Sequence, residues 1–128
     1  EVNYGDWSGR TLEELAADPH WRTYNTYRSA TRIPGGETAL ELQARSVSAI
    51  ESLREQYARG TVAVVSHSDV IKAILAFYLG MPLDLASRLV IDPASVSSLA
   101  LEPWGPRILG VNRPPVSTPR PPETAERP

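Results

Sequence analysis

Apolar positions change their spacing three times along this chain, and each change marks an element. Thr11-Leu12-Glu13-Glu14 is a capping box, so a short helix opens there and runs to about Ala17. Asp18-Pro19 then ends it. Residues 20–36 show no regular period, are rich in aromatics, and close on Pro34-Gly35-Gly36; they read as a long irregular loop. A second capping box, Thr38-Ala39-Leu40-Glu41, opens a helix to about Ala58, with Leu42, Ala49, Ile50, Leu53 and Tyr57 on one face. Gly60 stops it.

Next comes an unbroken hydrocarbon run, Val62-Ala63-Val64-Val65, bounded by Thr61 and Ser66-His67-Ser68. Consecutive β-branched residues without a polar break predict a strand buried on both faces. Val70–Leu79 follows at helical spacing, with Ser68 or Asp69 as its cap and Gly80 as its stop. The order helix, strand, helix predicts an α/β fold with parallel strands. Beyond Pro82 the pattern gives a helical turn over 83–87 and three strands, 89–91, 96–101 and 107–111. Residues 113–128 hold six prolines and no aromatic residue, so they read as a disordered or polyproline tail behind a domain of residues 1–112.

Composition narrows the chemistry. The 128 residues make one domain at most, and 41% apolar content is enough for a core. A net charge of −2 gives no sign of nucleic-acid or bilayer attraction. With no cysteine there is no disulfide, thiolate metal site or thiol nucleophile. No apolar run reaches the length of about 18 residues that a membrane span requires. No signal peptide opens the chain, and a cytoplasmic address is expected on that ground.

His67 is the leading candidate for chemistry. It stands where a strand ends and a helix begins, which is where open α/β sheets bind ligands. A helix mouth offers free N–H groups and partial positive charge, so an anion such as phosphate is the expected guest. A half-buried structural histidine is the alternative. His20, in the aromatic segment, reads as a surface or packing residue. Two distant histidines with no carboxylate at ligand spacing do not argue for zinc. There is no Gly-x-Ser-x-Gly elbow at Ser66 or Ser68, no Walker loop and no Gly-x-Gly-x-x-Gly.

Four motifs in order carry a resemblance. They are Glu1-x-x-Tyr4-Gly5-x-Trp7-x-Gly9, Arg32-x-Pro34-Gly35-Gly36-Glu37-Thr38, Val64-Val65-Ser66-His67-Ser68-Asp69-Val70-Ile71 and Pro93-x-Ser95-Val96. Together they resemble the histidine phosphatase superfamily, the phosphoglycerate mutase-like proteins, nearest to the broad-specificity phosphatase branch. The resemblance implies a three-layer α/β/α fold and a phosphoric monoester hydrolase working through a phosphohistidine. In such proteins a histidine in an Arg-His-Gly motif takes the phosphoryl group. A carboxylate protonates the leaving oxygen and then activates water. A second histidine and two arginines hold the phosphoryl oxygens.

Carried over by position, Glu1 matches the acid/base and His67 the second histidine, while the backbone N–H of Ser68 would contact phosphate. Glu37 is similar to the family's Gly-Glu-Ser glutamate, a supporting residue rather than the proton donor. The resemblance further implies a small-molecule phosphate ester as substrate, with no cofactor and no metal. Specificity would come from loop residues such as Trp7, Trp21, Tyr24, Tyr27 and Arg32.

The chain departs from the family pattern in one large respect. No Arg-His-Gly occurs in it, so the N-terminal strand bearing the nucleophile is not among these residues. The chain alone is therefore expected to be inactive, and Val62–Val65, lacking its neighbour, to be an exposed apolar edge prone to aggregation. The alternatives are a degenerate phosphate-binding module, or a phosphoglycerate mutase-like phosphomutase. A smaller departure is Ser68 in place of the usual glycine, which suits an ordinary backbone but not a positive φ.

Overall fold

The computed structural model of the chain describes residues 1–115. Four α-helices precede one β-hairpin: α1 Leu12–Ala16, α2 Pro19–Thr26, α3 Ala39–Gln56, α4 Ser68–Leu79, β1 Val96–Glu102 and β2 Gly105–Arg113. Short 3₁₀ turns cover Gly5–Trp7 and Leu83–Arg88.

Both capping boxes form. The Thr11 side chain accepts from Glu14 N and the Thr38 side chain from Glu41 N, and each glutamate accepts back from its cap's N–H. Asp18-Pro19 does more than end α1. The Asp18 carboxylate caps α2 by accepting from His20 N at 2.9 Å, and Pro19 takes the first helical position, where a missing N–H costs nothing. The segment read as an irregular loop is thus half helix, because the same dipeptide that stops one helix starts the next.

That second helix explains the aromatics. Trp7, Trp21 and Tyr24 interlock, with ring centroids 5.2 Å apart for Trp7–Trp21 and 5.5 Å for Trp7–Tyr24. Trp7 is 3% exposed and Tyr24 2%. Both are core residues. Ile33, Leu42, Val70 and Ala73 belong to the same cluster. Helix α4 packs on α3, where Gln43 Nε2 donates to Ala73 O at 2.9 Å. The buried face of α3 is Ala39, Leu42, Ser46 and Val47. The predicted face holds only at Leu42, since Ala49 and Tyr57 are exposed and Ile50 and Leu53 half-buried. The cluster closes over the first half of α3 only.

At its far end α4 stops on Gly80 in the left-handed conformation (φ 64°), and Met81 N donates back to Ala76 O at 2.9 Å. The start of α4 corrects the expected cap: His67 itself takes that position, without a side-chain hydrogen bond, and Ser68 is the first helical residue.

The strand pattern is corrected twice. Residues 61–66 pair with nothing among the described residues, and Val65 is 98% exposed. Residues 89–91 also lie outside any sheet, with Val90 exposed. An apolar run becomes a strand only where a neighbour satisfies its backbone. Here the sheet among the described residues is β1 against β2, antiparallel rather than parallel. Both of those strands were expected, and β2 carries Arg113 into the sheet, one residue past the expected domain boundary. Of the proline-rich tail, residues 116–128 lie outside the described residues.

Candidate functional site

The N-terminal loop lies against the Ile33–Glu37 turn, backbone to backbone. Asp6 N donates to Pro34 O at 2.8 Å, Glu37 N to Asn3 O at 3.2 Å, and Asn3 N to Glu37 Oε1 at 2.7 Å. Such an approach leaves no room for side chains at the crossing. A Cβ on Gly36 would stand 2.3 Å from Asn3 O, and one on Gly5 (φ 47°) 2.2 Å from Pro34 O. Gly5 and Gly36 therefore serve one purpose, which is contact between the loops that carry them.

Glu37 is held in turn by Arg45 of α3. Arg45 Nε donates to Oε2 at 2.9 Å and Nη2 to Oε1 at 2.8 Å, while Nη2 also donates to the Glu1 carbonyl at 2.5 Å. The guanidinium keeps the Glu37 carboxyl below its ordinary range, with the Asn3 N–H helping and partial burial opposing. The sign follows. A depressed carboxyl stabilises the fold fully above its unfolded value of about 4.3, and the contribution is lost as pH falls through the lower, folded value. Carboxyl-carbon NMR is therefore expected to show Glu37 titrating below about 4.3, with the Asn3 amide moving in step. A midpoint at or above the ordinary value would mean that the clamp does not form.

This docking carries Glu1 across to α4. Glu1 Oε2 lies 3.1 Å from His67 Nε2, and both side chains stay open to solvent, 55% and 57% exposed. Residues 66 positions apart meet at the N-terminus of a 12-residue helix. Because His67 makes no cap bond, the first N–H groups of α4 receive nothing from its side chain. Ser68 has no positive φ, so its backbone suits a helix opening without glycine. Asp69, in the first turn, is already engaged. It accepts from Tyr4 Oη at 3.1 Å and from Arg28 Nη1 at 3.2 Å, and Arg28 lies over the Tyr24 ring at 5.2 Å. Burial, then Asp69, pushes the Tyr4 hydroxyl above its ordinary value, so it remains a donor. His20 is exposed on α2. No cluster among the described residues could hold a metal ion, and no helix among them is long and apolar enough to cross a membrane.

The family model of the histidine phosphatase superfamily (branch 1) matches residues 1–114. The chain belongs to that superfamily. Among its relatives, phosphoserine phosphatase 1 of Hydrogenobacter thermophilus is 28% identical over 114 residues, covering 88% of this chain and 54% of that protein. A protein named probable phosphoglycerate mutase GpmB of Yersinia pestis is 30% identical over 108 residues, 81% of this chain and 50% of its own. The solved structure of YhfR from Bacillus stearothermophilus superposes with a TM-score of 0.82 at 24% identity, over 88% of this chain and 57% of that one. The fold is thus that of the phosphoglycerate mutase-like histidine phosphatases, of mixed helix and sheet. The chain spans about half the length of the relatives it matches.

Arg45 is the residue that sequence reasoning missed. It stands two helical turns beyond Glu37, and nothing local marks it apart from the other arginines of the chain. Of the loop residues expected to set specificity, Tyr27 is exposed, and Arg32 is tied to Glu41 and to Gly36 O.

Proposed function

We propose that this chain carries the proton-transfer and phosphate-holding side of a histidine phosphatase site acting on small-molecule phosphate monoesters. The observation that carries the reading is the Glu1–His67 contact at the mouth of α4. A phosphoryl group in transfer spreads negative charge over three oxygens. Fixed N–H donors and an imidazole at a helix N-terminus stabilise that charge without reorganising. In this reading His67 Nε2 and the Ser68 N–H hold phosphoryl oxygens. Glu1, close enough to reach the same group, protonates the departing oxygen and later takes a proton from water.

The 128 residues hold no Arg-His-Gly, so the covalent step needs a histidine from outside them. The chain alone is expected to bind inorganic phosphate without hydrolysing an aryl phosphate. Phosphate titration followed by NMR provides the test. His67→Ala is expected to weaken binding by about tenfold to a hundredfold, the worth of one charge-assisted hydrogen bond. Unchanged binding would remove His67 from the site. Hydrolysis by the chain alone that disappears in His67→Ala would make His67 the nucleophile and overturn the assignment.

The absence of Arg-His-Gly from these residues also favours a second reading, a binding module without turnover. Activity gained on adding a segment that bears the motif excludes that reading. With 3-phosphoglycerate as substrate, release of phosphate marks a phosphatase, and isomerisation marks a phosphomutase.

A further inference from the structure

We propose that Arg45 is the positioning residue that sets the Glu1 carboxylate against His67, acting through the backbone of residues 1–3 and through Glu37. The proposal rests on the reading of Glu1 as the acid–base group. An exposed glutamate side chain has several freely rotating bonds, and a contact with another exposed residue is worth little by itself. The Glu1–His67 approach therefore needs a fixed backbone beneath it.

The structure provides one from a single guanidinium. Arg45 Nη2 donates to the Glu1 carbonyl, and Nε and Nη2 together grip Glu37. Glu37, only 12% exposed, passes the constraint on by accepting from Asn3 N. Residues 1 and 3 are thus held on either side of Val2, whose side chain is buried in the core cluster. Arg45 itself projects from an 18-residue helix whose first half packs against the core. The loop is anchored to a rigid element, while the Glu1 carboxylate is left out of the clamp and open to solvent.

Three features distinguish this from a generic surface pair. The grip uses two nitrogens of the planar fork while one of them also reaches a carbonyl, which a lysine ammonium on a flexible stem does not reproduce. Arg45 and Glu37 cancel each other's charge, so the pair acts on the site by placing a group rather than by adding field. The atoms of the N-terminal loop that the clamp holds, the Glu1 carbonyl and the Asn3 N–H, belong to the main chain.

The chain has only two histidines, which makes the test clean. Ring-nitrogen NMR of the ¹⁵N-histidine-labelled 128-residue chain near neutral pH reads His67 directly, with exposed His20 as internal reference. Glu1→Gln is expected to displace the His67 Nε2 resonance. Arg45→Met is expected to reproduce at least half of that displacement in the folded protein, and Arg45→Lys a smaller part. The His20 signal should stay fixed throughout. The Trp7 indole N–H, bonded to Asp18 Oδ2 at 3.1 Å, reports that the core is intact. If Arg45→Met does not fold, Arg45→Lys decides alone: a His67 resonance identical to that of the parent overturns the proposal. A silent Arg45→Met beside an effective Glu1→Gln shows that Arg45 is merely structural. A silent Glu1→Gln removes the Glu1–His67 pairing itself, and the proposal with it.

Discussion

Glu1→Gln is expected to lower kcat by about 10²–10⁴-fold in the enzyme completed by a segment bearing Arg-His-Gly, the range that a positioned general acid typically contributes. The size of the loss in kcat/KM should depend on the leaving group. An alkyl phosphate such as phosphoserine departs as a strongly basic alkoxide and needs a proton in the transition state. An aryl phosphate departs as a stable phenolate and needs much less help. Glutamine keeps the shape of the side chain and its hydrogen-bonding capacity toward His67, but cannot transfer the proton. Because Glu1 in the proposed role also activates the water that cleaves the phosphohistidine, kcat falls with both esters. In steady-state kinetics of Glu1→Gln, kcat/KM, which reports only the phosphoryl transfer that expels the leaving group, should show the large loss with the alkyl substrate and a small one with the aryl substrate. Equal losses in kcat/KM would mean that Glu1 places or screens the phosphoryl group and does not protonate the leaving oxygen.

The second large effect is structural and has an internal control. Gly5→Ala is expected to destabilise the fold by about 3 kcal/mol or more, the scale of a backbone forced into a disfavoured region together with a steric clash. A methyl group there would meet Pro34 O at 2.2 Å, Gly35 C at 2.4 Å and Gly36 N at 2.4 Å, all of them backbone atoms that cannot swing aside. The two loops would have to part, breaking the Asp6–Pro34 and Asn3–Glu37 hydrogen bonds on which the position of Glu1 depends.

Gly80 has a similar φ, 64°, but nothing lies within 4 Å of its added Cβ. Gly80→Ala should therefore cost only the left-handed conformation, about 1–2 kcal/mol. Urea unfolding of the two variants separates conformational strain from close approach. If Gly5→Ala costs no more than Gly80→Ala, the loop contact is looser than described.

How much of this was legible in the sequence depended on how local each cause is. The capping boxes at Thr11 and Thr38 need only a side chain and an N–H three residues away, so the pattern finds them without any tertiary information. Gly80 ends α4 for an equally local reason. His67 could be placed at a helix mouth from the run of apolar residues on either side of it. Asp18-Pro19 misled, because a stop and a start are written with the same two residues. Glu1 carries no local signal at all, and only the resemblance of the motifs marked it.

Taken alone, the sequence determined α1, α3 and α4, the capping boxes of the first two, the strands 96–101 and 107–111, and the family to which the chain belongs. Each of these rests on periodicity, on short-range hydrogen bonds or on motif order, all of which are properties of the linear chain. The tertiary structure decided the rest. It put Trp7 and Tyr24 in the core, took residues 89–91 out of any sheet, and brought Glu1 within 3.1 Å of His67. A strand exists only if a second strand pairs with it, and a contact between distant side chains exists only if the backbone holds its members together. Both are relations between distant segments, so no window of sequence contains them.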